Sequence, residues 1–202
     1  MYSPHAILHW GSLANGQIYL DGDKVFEAED TGFADFARRA YQFMEISYPK
    51  FHKMDALSKL AFLGAEVLLG TAEFEDKDVA LLFMNKSGSL DTDIRHQESI
   101  SSPDGYFPSP AVFVYTLANI CLGEVSIRHQ FQTESCFFVS DTFDADLLYN
   151  YAEYLLQSGK CKKVLCAWVE YLQDDYSAVF YLVGQGTSLE HHINEIRKIV
   201  IQ

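Results

Sequence analysis

The segment Phe137–Gly159, FFVSDTFDADLLYNYAEYLLQSG, has the spacing of a strand-to-helix elbow. An apolar run stops, a polar turn follows, and helical spacing begins at once. Enzymes place nucleophiles at such elbows because the sharp turn holds the side chain in the open. The elbow here offers a threonine hydroxyl among carboxylates, with no cysteine or histidine: Ser140-Asp141-Thr142-Phe143-Asp144. These residues suit three roles, namely an active site, the relic of one, or a well-capped helix start.

The cysteines are a second source of nucleophiles, and they are Cys121, Cys136, Cys161 and Cys166. No CxxC pair and no His/Cys cluster at zinc spacing is present, and a cysteine inside an apolar run usually behaves as a small buried hydrophobe. Cys136 lies within a predicted strand, so no helix dipole activates its thiol. We expect structural thiols, with Cys136 buried at a subunit contact.

The histidines offer general bases. Adjacent residues on a helix point about 100° apart, so His191 and His192 do not converge on one substrate atom. We expect both to be solvated surface histidines. His5 and His9 share a face of a predicted strand, and we expect structural roles for them as well.

Three further patterns fall short of a ligand site. Asp21-Gly-Asp23 and Asp91-Thr-Asp93 each supply two carboxylates, fewer than a calcium loop requires. The segment Lys86–Asp91 follows a strand but lacks the GxxxxGK[ST] spacing of a phosphate loop, which favours a turn capped by serines. No metal and no cofactor is predicted.

The elements that must position these residues alternate between strands and helices. Predicted strands are Ala6–Trp10, Asp78–Met84, Ser135–Val139, Lys163–Val169 and Ala178–Val183. Two helices are predicted at Thr31–Glu45 and Asp55–Leu69, and a third starts near Pro110. A fourth runs through Leu147–Leu155 and ends at Ser158-Gly159. A last helix is capped by Ser188 and has Glu190 in its first turn. The stretch Asn85–Pro110 has turn chemistry and is predicted as loop. This order predicts an α/β fold with a mixed sheet layered with helices.

Composition limits the class of protein. The 202 residues are 49% hydrophobic, which suits one domain with a substantial core. The formal net charge of −13 argues against nucleic acid or an anionic membrane as partner. The N-terminal residues do not resemble a signal peptide, and no apolar run approaches the ~20 residues of a membrane span. We expect a cytoplasmic protein.

Several segments, in the right order, resemble the β-ketoacyl synthase N-terminal domain, and the short single-half subgroup most of all. Ser109–Ile127 is similar to the family run SPxxFxxSxxNxxxGxxSI. Upstream, the segment beginning at Met54 resembles the RLSxLxRxA helix, and Asp78–Asp93 resembles a strand followed by SxxGxLxT. Downstream, Leu155–Glu170 resembles a helix-Gly-strand unit. The matching motif positions in the first run are Ser109, Pro110, Phe113, Asn119, Gly123 and Ser126.

This resemblance implies a thiolase-like half, with residues 1–202 as one β-ketoacyl-synthase N-terminal-like domain. In the complete enzyme the elbow carries a cysteine, whose thiolate is favoured by a helix N-terminus and which carries the acyl chain. Aligning the family's TACSSS elbow with Gly159 at the helix end puts Thr142 at the nucleophile position. A threonine needs a neighbouring base, and the neighbouring carboxylates Asp141, Asp144 and Asp146 oppose an anion there. The family's catalytic histidines belong to its second half, and nothing after Val183 resembles their motif.

The elbow is therefore interpreted as the relic of an active site in a non-catalytic or accessory protein of fatty-acid or polyketide biosynthesis, such as that of aryl-polyene-type pigments. The implied partners are an acyl carrier protein and a full ketoacyl synthase. Two alternatives stay open: an active acyltransferase or thioesterase that uses Thr142 or a cysteine, and a structural subunit that completes a partner's thiolase fold. In the family the strand before the elbow lies at the subunit interface, which predicts a dimer, with a homodimer placed first, through Cys136, Phe137, Phe138 and Val139.

Overall fold

The computed structural model describes residues 5–28, 31–70, 77–101 and 108–201. The strands are β1 His5–Ala14, β2 Gln17–Leu20, β3 Asp23–Glu27, β4 Val79–Asn85, β5 Ser135–Val139, β6 Lys163–Leu172, β7 Asp175–Gln185 and β8 Leu189–Glu190. The helices are α1 Phe33–Phe43, α2 Ala56–Leu69, α3 Leu90–Ile100, α4 Pro110–Val114, α5 Ile120–His129, α6 Ala145–Gln157 and α7 Ile193–Ile201, with a 3₁₀ helix at Pro49–Lys53. Within these ranges no helix is both long enough and apolar enough to cross a bilayer.

All the described strands form one mixed sheet in the order β3-β2-β1-β7-β6-β4-β5, with β8 paired to β1. β4 is parallel to both β5 and β6, whereas the pairs β6–β7, β7–β1, β1–β2 and β2–β3 are antiparallel. The predicted mixed sheet is confirmed. β5 ends the order, so its outer edge pairs with no described strand.

Helices cover both faces of the sheet. The core on one face contains α2 together with residues of α1 and α5, and the core on the other contains residues of α6 and α7. Twelve of the fourteen residues of α2 are buried, since this helix is apolar on nearly every side and lies inside the domain. Asp55 caps α2 by accepting a hydrogen bond from the Ser58 backbone at 2.9 Å.

Three predictions from the sequence are wrong. The stretch after β4 is not all loop, because α3 occupies Leu90–Ile100; its few apolar residues hid it, while Asp91 and Asp93 favour its first turn. Within the stretch Asn85–Pro110 predicted as loop, residues 102–107 lie outside the described residues, so that part of the prediction is not tested. Ser188 does not cap the last helix; its hydroxyl donates to the Ile7 carbonyl at 2.8 Å. Glu190 therefore lies in β8, and Glu195 takes the first turn of α7.

The predicted elements leave out the β2–β3 hairpin, although its two-residue turn Asp21-Gly22, with positive φ at both residues, is a strong hairpin signal. Its turn contains Asp21, whose carboxylate accepts from the Trp10 backbone at 2.9 Å and lies 2.7 Å from Nδ1 of His9. This carboxylate therefore stabilises the hairpin against β1.

Candidate functional site

The carboxyl ends of the parallel strands β4, β5 and β6 meet at one edge of the sheet, which is where open α/β sheets place their ligands. The elbow begins there with Ser140, whose backbone N–H donates to the Asn85 carbonyl at 2.9 Å. The backbone N–H of Asp144 donates to Sδ of Met84 at 3.3 Å. The elbow is therefore attached to the end of β4 at both of its own ends.

Thr142 lies on the exposed part of this elbow. Its hydroxyl makes no hydrogen bond with any residue that the structure describes. The neighbouring Phe143 turns inward instead and packs edge-to-face on Trp168 of β6, with ring centroids 6.4 Å apart. Thr142 is thus placed in the open, as a nucleophile would be, and no described residue is hydrogen-bonded to its hydroxyl as a base would be.

The acidic neighbours of Thr142 have different roles. Asp144 caps α6 by accepting from the Leu147 backbone at 2.9 Å, whereas Asp141 and Thr142 do not cap this helix. Asp146 pairs with Arg197 of α7 at 2.7 Å, and Asp141 is exposed. One N–H at the start of α6, that of Leu147, therefore donates to a carboxylate of the chain itself.

The loop after β4 is closed by another carboxylate. The backbone N–H groups of Lys86 and Ser87 donate to the same oxygen of Glu170 on β6, at 2.7 and 3.1 Å. The Asn85 side chain bridges both the N–H and the carbonyl of Gly88, each at 2.9 Å. This loop is a turn, as predicted, but Asn85 and Glu170 close it instead of serine hydroxyls. Glu170 accepts from N–H groups that would otherwise be free to face an anion.

Sequence reasoning missed this role of Glu170. In the sequence Glu170 is the last position of the Leu155–Glu170 resemblance, and the signal for its role is a carboxylate directly after the predicted strand Lys163–Val169. Because Glu170 contacts a loop 84 residues earlier in the chain, its partners are decided by the strand order.

The family-motif residues lie on α4 and α5. Ser109 caps α4 by accepting from the Val112 backbone at 3.4 Å, and Pro110 opens that helix. Phe113 is 60% exposed, which leaves an aromatic face uncovered. Asn119 flanks α5 without a side-chain cap, and Gly123 and Ser126 lie within that helix.

The thiols are all free, and three of them are buried. Burial raises the pKa of Cys161 to about 11 and that of Cys166 to about 12, and it raises the pKa of Cys121 further still. Cys136 is half-buried on β5, with its Sγ 3.4 Å from the Tyr151 hydroxyl. High thiol pKa values mean little thiolate at neutral pH, so the buried cysteines are poor nucleophiles.

The prediction that His191 is a solvated surface residue is wrong. Its side chain is 0% exposed and lies 2.7 Å from the Glu153 carboxylate, which also contacts buried His5. His192 is exposed, as predicted, and His9 pairs with Asp21. In the described chain no histidine is hydrogen-bonded to the elbow, and no group of three or more His, Cys, Asp and Glu residues is arranged to hold a metal.

No protein-family model and no curated protein matches the chain. Solved structures do match. The ishigamide ketosynthase/chain length factor has a TM-score of 0.66 and 17% identity, over 90% of this chain and 62% of that chain. The ketosynthase ApeO in complex with its chain length factor ApeC, from Xenorhabdus doucetiae, has a TM-score of 0.62 and 15% identity, over 91% of this chain and 80% of that chain. A type II polyketide synthase acyl-carrier protein in complex with its ketosynthase, AntDE:AntF, has a TM-score of 0.63 and 14% identity, over 92% of this chain and 64% of that chain.

The chain therefore has the thiolase-like mixed α/β fold of ketosynthases, as the resemblance in its sequence predicts. It spans less than two thirds of the first of these structures.

Proposed function

We propose that this chain is an accessory ketosynthase-like protein that does not condense acyl groups itself. It would act beside a full ketosynthase and an acyl carrier protein in fatty-acid or polyketide biosynthesis, including the aryl-polyene type. The single observation that carries the proposal is Thr142, which occupies the elbow of a ketosynthase fold with no hydrogen bond to a described base.

The electrostatics of the elbow support a site without a nucleophile. Thiolates and alkoxides form where positive charge or N–H dipoles face them. Here Asp144 accepts the N–H bond at the start of α6, and Asp141 adds an exposed carboxylate beside Thr142. The carboxylates that favour the start of α6 therefore disfavour a negatively charged nucleophile at Thr142.

The edge strand β5 supports a partner subunit. Its outer edge meets no described strand, and Val139 at its end is 65% exposed. An apolar edge of this kind invites pairing with another chain, and a two-fold axis would close it. Strand pairing through Cys136–Val139 would give a homodimer, or a heterodimer with a full ketosynthase. Two of the similar structures are described as a ketosynthase with a chain length factor, which favours the heterodimer.

The proposal is tested by incubating the purified chain with an acyl-loaded carrier protein and measuring intact mass and peptide mass. We expect no acyl adduct and no turnover for the chain alone. Co-expression with a full ketosynthase from the same organism, followed by size-exclusion chromatography, should yield a stable complex. An adduct on Thr142 or on a cysteine would instead establish the acyltransferase or thioesterase alternative.

A further inference from the structure

Three side chains from separate parts of the chain meet in a buried group, here called the His-Glu-His cluster: His5, Glu153 and His191. Glu153 of α6 lies between the two histidines. Nδ1 of His5 is 3.0 Å from one carboxylate oxygen and Nδ1 of His191 is 2.7 Å from the other. Gln157 donates to the same carboxylate at 2.8 Å. The side chains of His5 and Glu153 are each 8% exposed and that of His191 is 0% exposed.

The cluster lies where the C-terminal segment joins the domain. The backbone N–H of His191 donates to the His5 carbonyl at 3.1 Å, and β8 pairs with β1 just before it. Helix α7 begins two residues later and buries Ile196 and Ile199 in the core that it shares with α6. The cluster thus attaches the start of α7 to both β1 and α6.

The hydrogen bond to Glu153 decides the protonation of His191. A carboxylate accepts, so Nδ1 carries the proton and Nε2 of the neutral ring keeps a lone pair. Nε2 is buried and has no hydrogen-bond partner among the described residues. A second proton on His191 would bury an N–H without an acceptor, which is costly in an apolar setting.

Groups from every neighbouring element face this ring. Tyr149 of α6 lies 4.9 Å from the His191 ring and Tyr181 of β7 lies 6.3 Å from it, measured between centroids. The titratable and charged groups around His191 are Tyr149 and Glu153 of α6, His5 of β1, Tyr181 of β7, Glu190 of β8 and the adjoining His192. Glu153 favours the protonated ring, whereas His5 and His192 oppose it.

Burial dominates this balance and lowers the pKa of His191 below its ordinary value of 6.5, despite the hydrogen bond and charge of Glu153. Because the folded pKa is lowered, the attachment is at full strength above pH 6.5 and weakens as the pH falls toward the folded pKa. For one proton, the ratio of attached to detached α7 falls up to about tenfold per pH unit in that window.

We propose that the His-Glu-His cluster is an acid-sensitive latch, which holds residues 189–201 on the domain while His191 is neutral and releases them when it is protonated. Release would uncover the apolar face of α6 that Ile196 and Ile199 cover. The latch is independent of the proposed function and acts on the face of the sheet that α6 covers.

Hydrogen–deuterium exchange with mass spectrometry at pH 7.5 and pH 5.0, corrected for intrinsic exchange, tests the latch. Protection of residues 193–201 should fall measurably at pH 5.0, while the β6 peptide 163–172 keeps its protection. Equal protection of α7 at both pH values, or an equal loss in β6, would overturn the proposal.

Matched variants test whether His191 is the residue whose protonation releases α7. His191→Asn keeps a donor toward Glu153 but does not titrate, so it should abolish the acid response, and His192→Asn at the exposed neighbour should retain it. If His191→Asn does not fold, the wild-type imidazole titration followed by NMR gives the answer. A His191 midpoint below 6.5 that coincides with α7 opening supports the latch, and a midpoint at 6.5 or above without opening refutes it.

Discussion

Gly64 of α2 lies directly against the ring of Phe180 on β7. A β-carbon on Gly64 would come within 1.9 Å of Cε2 of that ring. Phe180 in turn packs edge-to-face on Phe83 of β4, with centroids 5.7 Å apart. The absence of a side chain at Gly64 therefore lets α2 pack closely against the sheet. The elbow is attached to the end of β4 in this same sheet.

We predict that Gly64→Ala lowers the free energy of unfolding by about 1–3 kcal/mol, because overpacking costs more than the ~1 kcal/mol of helix propensity that alanine adds. Urea denaturation measures the change. Gly123→Ala in α5 is the matched control, since a β-carbon there meets nothing within 4 Å and the variant should be as stable as wild type or more so. A Gly64→Ala protein of wild-type stability would contradict the packing.

Asp144→Ala should lower the free energy of unfolding by ~1 kcal/mol, because it removes the acceptor for the Leu147 N–H at the start of α6. Asp141→Ala and Thr142→Ala are controls on the same elbow and should change it by less than about 0.5 kcal/mol. Thermal denaturation, monitored by circular dichroism, measures the stability of Asp144→Ala against that of the two controls. If Thr142→Ala costs as much as Asp144→Ala, the cap assignment fails.

Thr142→Cys should not restore condensation. The new thiol would lie beside Asp141, with Asp144 accepting the N–H bond at the start of α6, so little thiolate would form at neutral pH. Intact mass after incubation with an acyl-carrier thioester should show no stable adduct, in contrast to an active ketosynthase tested alongside. Turnover by the wild-type chain would show that the elbow is a working site.

The proposed association through β5 predicts that a charge at the exposed end of this strand shifts the protein toward monomer. Val139→Glu should shift the protein toward monomer by burying an unpaired carboxylate at the contact. Phe138→Glu should do the same but also damage the core against which Phe138 packs. Val25→Glu on β3, at the opposite end of the sheet, is the matched control. Light scattering that shows a monomer before and after substitution at Val139 would count against the interface.

Glu66 should make stability depend on pH. Burial alone would raise the pKa of Glu66, but the close approach of His129 at 3.0 Å and the two hydrogen bonds from Arg128 outweigh it and hold that pKa below 4.5. The stabilisation is therefore complete above pH 4.5 and is lost as the pH falls through the lowered value. Glu66→Gln should cost about 2–4 kcal/mol at pH 7, with a smaller difference from wild type in acid. Glu195→Gln, in an exposed pair with Lys198, should cost less than about 0.5 kcal/mol.

The sequence determined the elements whose patterns are local and strong. Ser135–Val139 was predicted with its observed bounds, and α2 and α6 with ends close to those observed, because apolar periodicity, caps and glycine stops act within a few residues. The resemblance also predicted the fold, since the motif order follows the order of strands and helices. The placement of Thr142 on the elbow follows from that order as well.

Only the tertiary structure decided which distant residues meet. Glu170 closes the loop after β4, and Glu153 joins His5 to His191, through contacts that span 38 to 148 residues of chain. No local pattern distinguishes His191 from its exposed neighbour His192, because burial depends on which helix packs over the ring. The helix α3 was missed because its weak local signal is stabilised by the elements against which it folds, whereas the β2–β3 hairpin was missed although its Asp21-Gly22 turn is a strong local signal.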